Sequence, residues 1–118
     1  MTARIAPISS GARLRPNATT RAIEVLDSFF QGLSDPMRVK ILELLAEQPL
    51  TVTEIVDRLG LAQGRVSSHL SCLRWCRYVE ARAEGGSNRY RLVDERVREI
   101  LRLGVAITRT MPRASPRA

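Results

Sequence analysis

Residues 51–74, TVTEIVDRLGLAQGRVSSHLSCLR, decide the fold. Thr51 or Thr53 is suited to cap a short helix whose Ile55, Val56 and Leu59 are its apolar residues. Gly60 is the residue type that closes a helix in the left-handed conformation, and Leu61 and Ala62 make a tight turn. A second helix is expected from Gln63 to about Arg77, with Val66, Leu70 and Leu73 at spacings of four and three. Two short helices joined by a glycine turn, the second amphipathic and polar at its start, form a helix-turn-helix.

The flanks extend this unit. Over residues 78–92, YVEARAEGGSNRYRL, Val79, Ala81 and Ala83 alternate, Glu84 to Asn88 turn, and Tyr90 and Leu92 alternate again. This predicts a two-stranded hairpin with a glycine loop, and therefore a winged helix. Upstream, Asp35 as N-cap and Pro36 at the first helical position open a buried helix carrying Val39, Ile41, Leu42, Leu44 and Leu45, which closes at Gln48-Pro49. Thr20 is expected to cap a first helix with Ile23, Leu26, Phe30 and Leu33, and Asp94 a last one with Val97, Ile100, Leu101, Val105 and Ile107. The fold class is thus mainly α with a small β-hairpin, a winged helix-turn-helix that dimerises through its N- and C-terminal helices. Residues 1–19 read as a disordered basic arm, 20–110 as the DNA-binding and dimerisation domain, and 111–118 as a flexible tail.

Charge narrows the function. Nineteen Lys and Arg against 12 Asp and Glu give 118 residues a formal net charge of +7, a balance suited to nucleic acid or another anionic surface. Lys40 is the only lysine, an arginine skew typical of a high-GC genome, so arginine abundance alone is not evidence of base recognition. One histidine, no glycine-framed carboxylate pair and no phosphate loop argue against an enzyme. No apolar run approaches a membrane span and no signal-peptide stretch opens the chain, so a cytoplasmic location is expected.

The polar start of the second reader helix presents candidates for double-stranded DNA. Arg65 can grip guanine and Gln63 adenine, Ser67 and Ser68 suit base edges or phosphate, and His69 suits a helix or DNA contact. Arg89 in the wing, with Arg82 as a second candidate, suits phosphate or the minor groove. For each, the alternative is an ordinary solvated face.

Residues 69–76, HLSCLRWC, hold both cysteines, four residues apart, beside the only tryptophan. On a helix this spacing puts the Cβ atoms about 5–6 Å apart, wider than the roughly 3.5–4.5 Å of a disulfide. A soft metal ion bridges that gap without distortion. Cys72 and Cys76 can therefore hold Hg(II), or Cd(II) or Pb(II) with a further donor such as Met111 or Glu80. The alternatives to this metal-sensing reading are small core fillers and a thiol-redox pair. Trp75 is expected to pack against the dimer helices.

Three stretches, LSDPMRVKILELL, TVTEIVDRLGLAQGRVSSHLSCLR and EGGSNRYRL, resemble the ArsR/SmtB family of metal-responsive repressors across about residues 30–92. The resemblance implies a winged-helix dimer that represses its own operator, an inverted repeat, and lets go when an inducer binds. It also departs from the family at two known sites. Thr51 and Thr53 stand where arsenic and cadmium sensors carry a cysteine pair. No histidine occurs in the last helix, where zinc and cobalt sensors have a DxH…HxxE arrangement. LSCLRWC is similar to the cadmium/lead-sensing, CmtR-type branch, whose site takes a third cysteine from the partner's tail. This chain has no third cysteine.

Overall fold

The computed structural model describes residues 18–111. Their order is α1 (Ala18–Gln31), α2 (Pro36–Glu47), β1 (Leu50–Thr51), α3 (Val52–Leu59), α4 (Gln63–Trp75), β2 (Val79–Glu84), β3 (Ser87–Leu92) and α5 (Glu95–Thr110). The first helix opens two residues before the expected Thr20 cap, so Ala18 and Thr19 belong to it rather than to the arm. The rest of the arm and residues 112–118 lie outside the described residues.

Local chemistry sets the helix starts. The Asp35 carboxylate accepts from the Met37 and Arg38 N–H groups at 2.7 and 3.4 Å, with Pro36 at the first position. Thr51, not Thr53, caps α3. Its hydroxyl accepts from Glu54 N at 3.2 Å while Glu54 Oε1 accepts from Thr51 N at 2.9 Å, a reciprocal capping box. Gly60 closes α3 at φ 69°, a backbone conformation that costs glycine nothing.

The hairpin is part of a larger sheet than expected. Leu50 and Thr51 pair with Tyr90 and Arg89, making an antiparallel three-stranded sheet of order β1-β3-β2. Two residues after a proline are too short to display strand alternation. The β2–β3 turn is tight, with Gly85 and Gly86 both at positive φ between paired Glu84 and Ser87.

The core lies between α2, α3, α4 and the inner face of the sheet. Ile41, Leu42, Ile55, Val66, Leu70 and Leu73 are fully buried, and Leu50, Val79 and Tyr90 close it from the strands. Each such aliphatic side chain stabilises by about 1.5–3 kcal/mol relative to exposure. The outer helices share little of this. No α1 residue is buried, and Val97 is the only buried residue of α5. Val25, Leu26 and Phe30 on α1, and Leu103 and Ile107 on α5, remain exposed.

Helix α4 ends two residues earlier than expected. Cys76 is its C-cap and Arg77 turns into the left-handed region at φ 72°. The Tyr78 N–H reaches back to Leu73 O at 2.8 Å and the Arg77 N–H to Arg74 O at 3.0 Å, a Schellman closure with arginine where glycine is usual. A non-glycine residue there carries about 1–2 kcal/mol of strain. Setting the unfolded-state entropy of glycine against that strain, Arg77→Gly should stabilise the protein by about 0.5–1 kcal/mol. A rise in the urea midpoint at unchanged slope checks it; an unchanged midpoint would mean the arginine side chain already compensates the strain.

Candidate nucleic-acid interface and thiol pair

With Val66, Leu70 and Leu73 turned inward, α4 leaves Gln63, Arg65, Ser67 and Ser68 exposed along its first two turns. Ala62, the N-cap, puts no side-chain acceptor on the first N–H groups. His69 differs from these four. It is half-buried, and its charge acts on Asp35 at the start of α2. Burial works to raise the Asp35 carboxyl, but the Met37 and Arg38 N–H groups, with the charges of His69 and Arg38, bring it below its ordinary value.

Arg89 is half-buried and occupied within the molecule. Its Nε donates to Glu84 Oε1 at 2.9 Å, and one terminal nitrogen donates to Glu54 Oε1 at 3.3 Å and to Pro49 O at 3.4 Å. The Thr51 N–H and then Arg89 hold the Glu54 carboxylate below the usual range, against the effect of burial. Arg82, directly opposite Arg89 in the register, is exposed.

The two cysteines meet at the end of α4. The Cys76 N–H still bonds Cys72 O at 2.9 Å, which keeps the helical four-residue stacking past the last helical residue. Burial pushes the Cys76 thiol up, and the charge of the adjacent Cys72 and a hydrogen bond with it push it further; the Arg38 guanidinium and the Gly32 N–H act the other way. Cys72 is half-buried and Cys76 buried. No third His, Cys, Asp or Glu joins them in a cluster among the described residues. Two mutually facing thiols therefore suit a soft ion that accepts two sulfur donors. Asp94, the N-cap of α5, is engaged elsewhere: bonds from the Arg96 side chain and N–H draw its carboxyl down to about 2.

Sequence reasoning missed what surrounds the thiols. Tyr78 is fully buried, its ring stacks on Phe29 at 4.2 Å, and its hydroxyl donates to Phe29 O at 2.7 Å. A Cβ on Gly32 would lie 2.6 Å from the Tyr78 ring and 3.2 Å from Cys76 Cβ, so this approach requires glycine. Arg38 donates to Gly32 O and Gln31 O, both at 3.0 Å. The thiols thus sit in a joint that straps the end of α1 to the end of α4. The available signal was position: Tyr78 follows the helix end where a Schellman closure brings in an apolar residue. Trp75 is 84 % exposed and borders a groove of about 950 Å³ between α1 and the end of α4.

The model of the bacterial regulatory protein, arsR family, matches residues 35–81. The CmtR transcriptional regulator of Mycobacterium bovis is 35 % identical over 92 residues, covering 75 % of this chain and 78 % of that one. The chain belongs to the arsR family. A probable mercury resistance operon repressor from Streptomyces lividans is 44 % identical over 75 residues, spanning 64 % of this chain but only 60 % of the repressor. The homodimeric winged helix-turn-helix DNA-binding domain of a possible ArsR-family regulator from Mycobacterium bovis superposes with a TM-score of 0.75. It is 25 % identical, and the match covers 80 % of this chain and 88 % of that domain. The winged helix expected from sequence is therefore the fold of this arsR-family chain, and its relatives are named as regulators, not enzymes.

The burial difference orders the thiols by reactivity. In the folded protein, Cys72 (in a Cys76→Ser variant) should react with iodoacetamide about 10-fold faster than Cys76 (in a Cys72→Ser variant), and guanidinium should equalise the rates. Equal rates in the folded state would contradict the buried placement of Cys76.

Proposed function

We propose that this arsR-family chain is a DNA-binding transcriptional repressor that leaves its operator when a thiophilic metal ion binds Cys72 and Cys76. The observation that carries the reading is the pair of facing thiols at the end of the exposed-faced helix α4. Gln63, Arg65, Ser67 and Ser68 would meet the major groove, and His69 would position α4 against α2. The exposed apolar faces of α1 and α5 would be covered by a second copy, giving a homodimer. Its two reader helices would then match an inverted repeat with half-sites about 34–36 Å apart.

Among Hg(II), Cd(II) and Pb(II), two sulfur donors with no third His, Cys, Asp or Glu clustered with them among the described residues suit Hg(II) best. The mercury-resistance relative agrees with that choice. Cys72 and Cys76 would hold the ion as thiolates, which requires both protons to leave. Cys76 abuts Gly32 and Tyr78, so a change of spacing at the sulfurs bears on the end of α1 as well as on α4. By linkage, an ion that weakens DNA affinity must itself bind more weakly to the DNA complex, by the same factor.

Cys72→Ser and Cys76→Ser should each bind a duplex from the chain's own promoter within about 2-fold of wild type, yet lose release by Hg(II). Anisotropy of the labelled duplex measures both, and a Cys72→Ser protein still released by Hg(II) would sink the clamp. Below the thiol pKa values, two displaced protons should lower ion affinity by up to about 100-fold per pH unit of acidification. Competition titrations at pH 6 and 7 check the sign; a pH-independent affinity would remove the thiolates from the site.

A metal-independent or thiol-redox repressor is the second reading. Cys76 lies just beyond the last residue of α4, where local opening could bring two sulfurs within bonding distance. Release by peroxide and recovery with reductant would favour it.

A further inference from the structure

We infer that Arg89 is a positioning residue that locks the wing to the helix-turn-helix, and that Arg82 is the wing's contact to the DNA backbone. The inference rests on the DNA-binding reading above. It begins with the acceptors around one guanidinium. Arg89 stands on β3, yet it bonds Glu84 on β2, Glu54 on α3 and the Pro49 carbonyl just before β1. A planar fork satisfied by two carboxylates and a carbonyl has its charge offset locally.

Glu54 gives the link its mechanical meaning. The same Oε1 that receives Arg89 also receives the Thr51 N–H in the capping box. The wing is thereby tied to the residue that fixes where α3 starts. Any tilt of the β2–β3 hairpin away from α3 must break this three-way contact, so Arg89 sets the angle at which the wing meets DNA.

The register then selects Arg82. Arg82 and Arg89 are directly opposite on one face of the sheet, and like charges so placed repel. Arg89 is turned to its acceptors, while Arg82 is exposed at the outer side of the wing. Glu84, its neighbour two residues on, is taken by Arg89.

The test is the salt dependence of binding to a labelled duplex from the chain's own promoter, measured for wild type, Arg82→Ala, Arg89→Ala, Glu54→Gln and the double variant Arg89→Ala/Glu54→Gln. Glutamine at the third helical position keeps a capping box but loses the charge. Arg82→Ala should lower the slope of log K against log salt by about 1 per subunit site. Arg89→Ala should weaken binding about 3-fold at low salt with a slope change well below that of Arg82→Ala, because the lost link is an ion pair that salt itself screens. Glu54→Gln should weaken binding in the same direction, and the double variant should be no weaker than Arg89→Ala alone.

If Arg89 instead touched phosphate, its removal would lower the slope by as much as a phosphate contact does, about 1, and Glu54→Gln would tighten binding by releasing it; either result overturns the assignment. A wild-type slope for Arg82→Ala overturns its part. Circular dichroism melts identify any variant that fails to fold, and Glu54→Gln decides the matter without removing an arginine. Wild-type protein with no salt-dependent binding would overturn the DNA reading itself, whereas the other failures leave that reading standing.

Discussion

The turn that ends α4 is the constraint on which the other features depend. Arg77 takes up left-handed backbone, and the Tyr78 N–H bonds back to Leu73 O. That reversal sends Tyr78 inward instead of onward along a helix. Once inside, its ring finds Phe29 and its hydroxyl finds the Phe29 carbonyl. The next residue, Val79, enters β2 already facing the core. If α4 ran one turn further, Tyr78 would be carried on along the helix, away from Phe29, and the wing would start from a different point. The strain at Arg77 is a modest cost for placing a thiol, a buried phenol and a strand within four residues.

This turn also explains why α1 stays with the protomer at all. The helix buries none of its own residues, and its apolar Val25, Leu26 and Phe30 face away from the core. Its attachment is concentrated at the C-terminal end, where Tyr78 and Arg38 take up the carbonyls of Phe29, Gln31 and Gly32. A helix fixed at one end and apolar along its length depends on an external surface for the rest of its stability. The attachment point is also where the thiols are. Communication between the sulfurs and a dimer helix therefore needs no long path, because both lie in the same joint.

Much of this architecture was legible because the residues involved act locally. Asp35-Pro36, Gly60, Gly85-Gly86 and Asp94 fix element ends within three or four residues of themselves, so sequence spacing reports them directly, while the choice between Thr51 and Thr53 was settled by the Glu54 capping box in the structure. The periodicity of Val66, Leu70 and Leu73 was equally plain. What escaped depends on partners distant in sequence. β1 exists because Leu50 and Thr51 meet Tyr90 and Arg89, forty residues away in the chain, and two residues carry no pattern of their own. Tyr78 looked like the first residue of a strand, and only the closure of α4 makes it core. The thiol pair was visible from its four-residue spacing, but its setting against Gly32, Arg38 and Tyr78 was not, since those residues come from the α1–α2 turn, α2 and the chain beyond α4.

Arg89 shows the same limit in electrostatic form. A basic residue in a wing reads as a DNA contact because composition reports charge without reporting acceptors. Among the described arginines, Arg38, Arg89, Arg96, Arg98 and Arg102 all donate to carbonyls or carboxylates within the chain. A formal charge of +7 is therefore not a count of phosphate partners. Net charge still sets the long-range attraction to a polyanion, which depends on the sum and not on pairing. Contact and register are set by the cations left facing solvent at the right height, and these follow from which guanidinium the carboxylates have already claimed. In this wing Glu54 and Glu84 claim Arg89, the arginine that the sequence put first, and that competition leaves Arg82 as the cation facing solvent.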